Sequence, residues 1–155
     1  MPIHQIHPIV VHFPIALLLV GFLLDGLFLI LARRAWADVT FILVVLGIAG
    51  AFAAGFTGEV AEHAIEPLAE PTKAALKAHH EFAGLVNFFG TGMLALRLLV
   101  RLRPAKRLFL AAYLAIGLGT CALLGVTARR GGVLVYDHGA GTNTGHPLPQ
   151  ASDSI

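Results

Sequence analysis

Cysteine and charge are scarce in this sequence. Its single cysteine, Cys121, lies in an apolar run. One cysteine excludes an intramolecular disulfide, a CxxC redox pair and a haem attached through a CxxCH motif. Only 13% of the 155 residues are charged, whereas 57% are hydrophobic, and the mean hydropathy is +0.79. This balance is more apolar than that of soluble domains, so it predicts an integral membrane protein.

Sequence signatures of several other functions are also missing. We find no Ser/His/Asp set and no phosphate-binding glycine loop, which argues against an isolated hydrolase or transferase. The net charge of +2 comes from basic residues in short loops, where membrane topology explains them better than nucleic acid does. The first apolar run lacks a preceding Lys or Arg and a following small-residue cleavage site, so we expect no standard signal peptide.

Four apolar stretches are present, each about as long as the ~20 residues that a helix needs to cross the hydrocarbon core. They cover residues 9–32, 39–56, 82–100 and 108–128. Backbone groups in lipid must bond within their own segment, which favours helices over open strands. The sequence therefore predicts one all-α domain over residues 1–155, an integral membrane four-helix bundle with up-down-up-down topology.

Basic residues predict the orientation of this bundle. The first and third interhelical loops are rich in them, with Arg33, Arg34, Arg101, Arg103, Lys106 and Arg107. By the positive-inside rule these loops are cytoplasmic. Both termini and the middle loop then lie outside, in the periplasm if the chain is in a bacterial inner membrane.

Two segments are predicted to lie outside the membrane on that same side. The middle loop, residues 57–77, carries glutamates three and four residues apart, which favours a short surface helix broken by prolines. Gly131 and Gly132 are expected to end the last helix. Residues 131–155 then form an outer segment and a flexible tail. The extended apolar run 133–136 either folds back over the bundle mouth as a lid that carries His138, or anchors the chain at the interface through Tyr136.

The eight histidines are all predicted at the outer end of the bundle. They are His4, His7, His12, His63, His79, His80, His138 and His146. Imidazole nitrogen binds haem iron, copper, zinc and non-haem iron, and it transfers protons near neutral pH, so their clustering predicts a site. Interfacial anchoring or helix capping is the structural alternative for each, and we prefer it for His4 and His146.

His12 and His80 are the predicted axial ligands of a haem b. They lie at matching depth on the first and third helices, which run parallel and could clamp a flat macrocycle if they are diagonal. His79 and His80 are about 100° apart on a helix, so only one of them faces the interior. His79 is therefore the alternative to His80, and His7 and His138 are candidates to support or replace a ligand of the cofactor.

A transition-metal module is a second class of function that the histidines allow. In it, His63, His80, His138 and Glu59 hold copper, zinc or iron. A third class is a non-catalytic structural subunit of a membrane complex. Loss of a bound ion, or of a haem spectrum, in histidine variants would separate these classes.

Two charges lie within the apolar stretches. Asp25 is on the first helix and Arg97 on the third, and their depths differ by about one turn, which a long arginine side chain can bridge. We predict that they form an ion pair with a structural role, for which a proton path is the alternative, and Asn87 and Thr91 are candidates for additional partners.

The segments HPIVVHFPIALLL (residues 7–19) and GGVLVYDHGAG (residues 131–141) resemble the opening and closing motifs of the bacterial membrane-protein family called domain of unknown function 2231. The resemblance spans nearly the whole chain. It implies a layout related to the four-helix b-type cytochromes, and some members occur beside redox domains, which favours haem. The matching positions are His7, Pro8, His12, Phe13, Pro14, Gly131, Gly132, Tyr136, His138 and Gly139.

One departure limits the analogy with di-haem cytochromes. Those proteins carry ligands near both membrane faces, whereas this sequence has histidine near one face. We therefore expect a bis-histidine haem b near the outer face of an electron-transfer protein or redox-complex subunit, rather than an independent enzyme. Lipid, other subunits of a redox complex and a quinol donor are the expected partners.

Overall fold

The computed structural model describes residues 5–65, 67–104 and 107–142, except for the side chain of Arg34. These residues form helices and no strands: α1 (Ile6–Val10), α2 (His12–Ile30), α3 (Arg34–Ile65), α4 (Glu70–Leu102) and α5 (Arg107–Tyr136). Four segments are long and apolar enough to cross a membrane, Ile6–Ile30, Ala35–Ile65, Glu70–Leu102 and Arg107–Tyr136. The predicted all-α fold with four membrane-spanning helices is confirmed.

The first span is interrupted at Val11, between α1 and α2. Pro14 has no N–H, so the carbonyl of Val10 loses the donor that an unbroken helix would supply. Val11 nevertheless keeps right-handed helical angles, φ −62° and ψ −24°, and its N–H bonds to the His7 carbonyl at 3.1 Å. Side chains before and after the interruption therefore follow nearly the same helical spacing.

The four spans are arranged as two closely packed hairpins. α2 packs along α3 in the α2–α3 hairpin, and α4 packs along α5 in the α4–α5 hairpin. The two hairpins touch more sparsely, through α3 with α4 and through α2 with α5. Among the described residues α2 and α4 make no close Cα approach, so they lie diagonally across the bundle.

Glycines let the helices approach closely in the middle of the bundle. A Cβ on Gly117 of α5 would lie 2.0 Å from Cε2 of Phe22, and one on Gly90 of α4 would lie 2.7 Å from Cδ1 of Ile48. Close packing around small residues is what holds helices together in lipid, where the hydrophobic effect gives little attraction. The centre of the bundle is thus tightly filled, and a large group would have to lie nearer one end.

Helices α3 and α4 are longer than predicted. The expected loop over residues 57–77 is wrong, because α3 continues to Ile65 and α4 begins at Glu70. Glu59 and Glu62 therefore belong to the end of α3 and not to a separate surface helix. The 32 residues of α3 rise about 48 Å, beyond the ~30 Å hydrocarbon core. Hydropathy marks the apolar part alone and misses such polar ends.

The end of the last helix also differs from the prediction. Gly131 and Gly132 lie inside α5, and residues 133–136 are helical rather than extended, since α5 runs to Tyr136. The backbone leaves the helix at Gly139, whose φ of +64° suits glycine at a helix C-terminus. His138 therefore lies at a helix end and not on an extended lid.

Candidate functional site

At one end of the bundle, Asp25 of α2 and Arg97 of α4 form an ion pair. Their exposed fractions are 0% and 2%. Arg97 Nε donates to Asp25 Oδ2 at 2.6 Å, and Nη2 donates to Oδ1 at 3.0 Å. The pairing predicted from the sequence is present, and it crosses the bundle diagonal. We call this the ion-pair end.

Side chains from the other two spans complete this network. Tyr113 of α5 donates its hydroxyl to Asp25 Oδ2, and Thr40 of α3 donates to Oδ1, both at 2.8 Å. Arg97 Nη2 also donates to the main-chain oxygen of Ala37 at 2.8 Å. The carboxylate thus accepts four hydrogen bonds, two of them from a guanidinium, and this stabilises its charge away from water.

The predicted extra partners of the ion pair are not part of the network. Thr91 is exposed and donates to the main-chain oxygen of Asn87 at 2.8 Å, within α4. Tyr113 and Thr40, which were not predicted, join it instead. Their polar groups stand in otherwise apolar runs, a pattern that marks buried partners in membrane helices.

At the other end of the bundle, His7 of α1 is half-buried and contacts α3. Its Nδ1 lies 3.2 Å from Thr57 Oγ1, and that hydroxyl gives its own hydrogen to the Ala54 carbonyl at 3.1 Å. The oxygen must therefore accept a hydrogen from Nδ1 of His7. A Cβ on Gly58 would lie 3.1 Å from His7 Cε1, so the ring rests against this glycine. Nε2 of His7 keeps the lone pair that binds metals.

His79 of α4 is held by α5 in the same manner. Its Nδ1 lies 3.1 Å from the main-chain oxygen of Thr127. Because a carbonyl can only accept, Nδ1 carries the hydrogen and Nε2 keeps its lone pair. A Cβ on Gly131 would lie 3.3 Å from His79 Cε1. Each hairpin therefore supports one half-buried histidine with an oxygen and a glycine from its second helix.

The spacing along the chain explains why these two histidines share the bundle diagonal. Eighteen residues separate His7 from Asp25, and eighteen separate His79 from Arg97. That distance is about five whole turns, or about 27 Å, so each histidine lies on the same face of its span as the distant charge. Since Asp25 and Arg97 meet across the diagonal, this spacing places His7 and His79 on the faces of their spans that turn into the bundle.

Arg130 of α5 lies beside His79. Its guanidinium carbon is 4.4 Å from the centre of the Phe82 ring, and its charge acts on His79. Among the described residues, Nε of Arg130 is buried without a hydrogen-bond partner. A guanidinium N–H in such surroundings binds carboxylates or phosphates well. This end therefore offers a position for an anionic group next to His79.

The two histidines predicted as axial ligands lie elsewhere. His12 is exposed, and its Nδ1 bonds to the Pro8 carbonyl one turn earlier. His80 is half-buried, and its Nδ1 lies 3.4 Å from Glu62 Oε2 on α3. No contact joins His12 to His80 in the part of the chain that the structure describes. The neighbouring histidines of α4 diverge, His79 towards α5 and His80 towards α3.

His80 also lines a cleft of about 360 Å³ between α3 and α4. Its polar walls are formed by Glu59, Glu62, His63, His80 and Asn87. His138, at the end of α5, does not line it, and His4 and His146 lie outside the described residues. Within residues 5–65, 67–104 and 107–142 no three His, Cys, Asp or Glu side chains are arranged to hold a metal ion. Of the residues predicted as an alternative metal site, Glu59, His63 and His80 therefore share a cleft, and His138 does not.

The fold and these clusters define a small membrane protein with four spans, a buried ion pair at one end and histidines at the other. The chain belongs to the family of predicted membrane proteins DUF2231, whose model matches residues 3–144. The resemblance seen in its motifs is thus confirmed. Neither the curated proteins nor the solved structures gave a match.

Proposed function

We propose that this protein is a membrane haem b-binding electron-transfer protein, or such a subunit of a redox complex, and that His7 and His79 would hold the haem. The observation that carries the proposal is the arrangement of these two imidazoles. Each is held through Nδ1 by a neighbouring helix, which leaves the lone pair of Nε2 for a ligand. Two such nitrogens from opposite sides are what a bis-histidine haem requires.

The surrounding residues also fit a haem. Gly58 and Gly131 give the two rings room beside the neighbouring helices. Arg130, with its buried Nε, would pair with a propionate. The tightly packed centre leaves the histidine end as the place for the macrocycle, in keeping with a single outer haem. When bound, the group supplies reversible one-electron transfer, while the chain supplies ligand orientation and charge.

The oxygens that hold the imidazoles have a chemical role in this proposal. A hydrogen bond from Nδ1–H to Thr57 or to the Thr127 carbonyl selects the tautomer and stops the ring from rotating. It also makes Nε2 a stronger electron donor to iron. Replacing the supporting oxygen should therefore change affinity or redox potential without removing the ligand.

We further propose that the histidine end faces the periplasm in a bacterial inner membrane, with both termini on that side. Seven Lys and Arg residues lie at the opposite end, against four at the histidine end, and the more basic side is cytoplasmic by the positive-inside rule. A lipid-soluble reductant such as a quinol, or another subunit of a redox complex, would then reach the haem at the outer interface.

Optical spectroscopy of the detergent-purified protein tests the proposal. We expect a Soret band and a pyridine haemochrome of haem b. His7→Ala and His79→Ala should lose most of the bound haem, whereas His12→Ala and His138→Ala should retain it as matched controls. Absence of haem from the wild-type protein after expression with sufficient haem supply overturns the function. Haem loss in His12→Ala and His80→Ala, but not in His7→Ala, overturns the ligand assignment.

A transition-metal module is the second candidate, because Glu59, Glu62, His63 and His80 line one cleft. Metal analysis of protein purified without chelators distinguishes it from the haem proposal. A bound copper, zinc or iron ion that His63→Ala releases, in protein without a haem spectrum, would favour the metal module. A wild-type protein with neither haem nor metal would favour the structural subunit.

A further inference from the structure

Two cavities beside α4 share Asn87 as a lining residue, and we treat them as one groove. The first is the polar cleft beside His80, of about 360 Å³. The second, about 700 Å³, is lined mainly by apolar side chains, among them Phe52, Phe88, Leu96 and Ile116. The groove is therefore polar at the histidine end and apolar towards the middle of the membrane.

The groove exists because α3 and α4 pack sparsely along this side of the bundle. Two glycines of α4 line it, Gly84 in the polar part and Gly92 in the apolar part. A Cβ on either would meet nothing within 4 Å. Since both spans are membrane-crossing candidates, an amphiphilic molecule could enter the groove sideways from the lipid.

We propose that this groove binds a hydroquinone with an isoprenoid chain, its ring beside Glu62 and His80 and its chain along the apolar part. The inference rests on the proposed haem function, for which it names the electron donor. Glu59 and Glu62 accept hydrogen bonds from hydroxyl groups and repel the phosphate of common lipids. The methyl-branched chain of a quinol suits the phenylalanine-lined part.

The polar end of the groove lies next to the proposed haem ligand. His80 and His79 are adjacent in sequence, and their ring centres are 6.2 Å apart. Oxidation of one hydroquinone to the quinone breaks two O–H bonds and releases two protons and two electrons. The electrons would pass one at a time to the haem that His7 and His79 would hold, and that haem would supply one-electron acceptance. Glu62 and His80, paired at 3.4 Å, accept the protons.

The experiment uses the full chain in phosphatidylcholine nanodiscs and two probes, a benzoquinol with an isoprenoid chain and the same ring without a chain. Equilibrium binding of both is measured, and haem reduction is followed by stopped-flow absorbance. Gly92→Leu should fill the apolar part and weaken binding of the chain-bearing probe about tenfold or more, with little effect on the other. Glu62→Gln should slow haem reduction more than it weakens binding.

Gly125→Leu is the matched control. Gly125 is another open glycine of a membrane span, on α5 and outside the groove, so its replacement should leave both measurements unchanged. Ala95→Phe fills the same apolar part and serves as the second variant if Gly92→Leu does not fold.

The outcomes separate this inference from the haem proposal. A wild-type haem spectrum with unchanged quinol binding in both groove-filling variants overturns the inference and leaves the haem function standing. Displacement of the quinol by equal amounts of phosphatidylglycerol also overturns it, because the groove would then be a general lipid site. Wild-type protein without haem overturns the proposed function. If that protein still binds the quinol, and Gly92→Leu abolishes this binding, the groove is supported as a quinol site.

Discussion

Asp25 and Arg97 illustrate how single residues place full charges inside a membrane bundle. Removing two charges from water costs several kcal/mol for each ion, and the ion pair alone does not always recover that cost. Here the carboxylate also accepts hydrogen bonds from Tyr113 and Thr40, and the guanidinium donates to the Ala37 carbonyl. Each buried partner therefore depends on the others.

Replacing Asp25 by Asn tests this dependence. The variant leaves Arg97 buried without a counter-charge, and we expect the free energy of unfolding to fall by about 3–5 kcal/mol. Asp38→Asn is the control, because Asp38 pairs with Arg101 at 2.8 Å on the exposed surface, where such pairs contribute about 0–1 kcal/mol. Both are measured by titrating the purified protein from mild detergent into dodecyl sulfate. Similar small losses of unfolding free energy in the two variants would contradict the structural role of the Asp25–Arg97 pair.

At the scale of the helices, contact between the two hairpins depends on shape as well as on polar groups. The Phe22 ring of α2 fits against Gly117 of α5 and meets the Tyr113 ring edge-on, with centres 5.6 Å apart. Tyr113 in turn donates to Asp25. The absence of a side chain at Gly117 thus gives the Phe22 ring room to pack beside Tyr113, a partner of the buried ion pair.

Gly117→Ala is predicted to separate α2 from α5. The added Cβ would lie 2.0 Å from the buried Phe22 ring, so the ring must move, and we expect a loss of about 1–3 kcal/mol of stability. Gly119→Ala, two residues further along α5, meets nothing within 4 Å and should be neutral. Thermal unfolding in detergent, followed by loss of the monodisperse peak in size-exclusion chromatography, compares the two. Equal unfolding midpoints for Gly117→Ala and Gly119→Ala would show that α5 can shift to accept the methyl group at position 117.

At the scale of the whole molecule, the chain has two polar ends separated by an apolar, glycine-packed middle. The ion-pair end joins all four spans, while the histidine end presents half-buried imidazoles and an open cleft. A bundle that is held together by an ion pair at one end and carries half-buried histidines at the other would suit the proposed cofactor.

Cysteine labelling tests the orientation that this proposal needs. In a Cys121→Ala background, Arg103→Cys and Asp137→Cys each carry a single thiol at an exposed position. With intact cells, a membrane-impermeant maleimide should label Asp137→Cys and should label Arg103→Cys only after the membrane is permeabilised, because basic loops stay in the cytoplasm. Reversed labelling would place the histidine end at the cytoplasmic face and contradict the proposed access of the donor at the outer interface.

Much of the fold and part of the site could be predicted from the sequence. The four helices follow from long apolar runs that must bond internally in lipid, and the Asp25–Arg97 contact follows from two charges that need a partner at similar depth. The equal spacing of His7 from Asp25 and of His79 from Arg97 was also available in the sequence. The prediction of His12 and His80 as haem ligands used only their matching depth in the membrane. It did not consider which face of each helix turns inward.

Composition and hydropathy by themselves determined that this chain is a helical membrane protein and that its histidines lie at one end of the helices. These two features depend only on the order of residues along the chain. Tertiary structure decided which of those histidines share the diagonal, that Tyr113 and Thr40 join the ion pair, and that a groove opens between α3 and α4. These features depend on how each helix is rotated and how closely it packs. Rotation and packing are set by contacts between residues far apart in sequence, such as the Phe22 ring against Gly117.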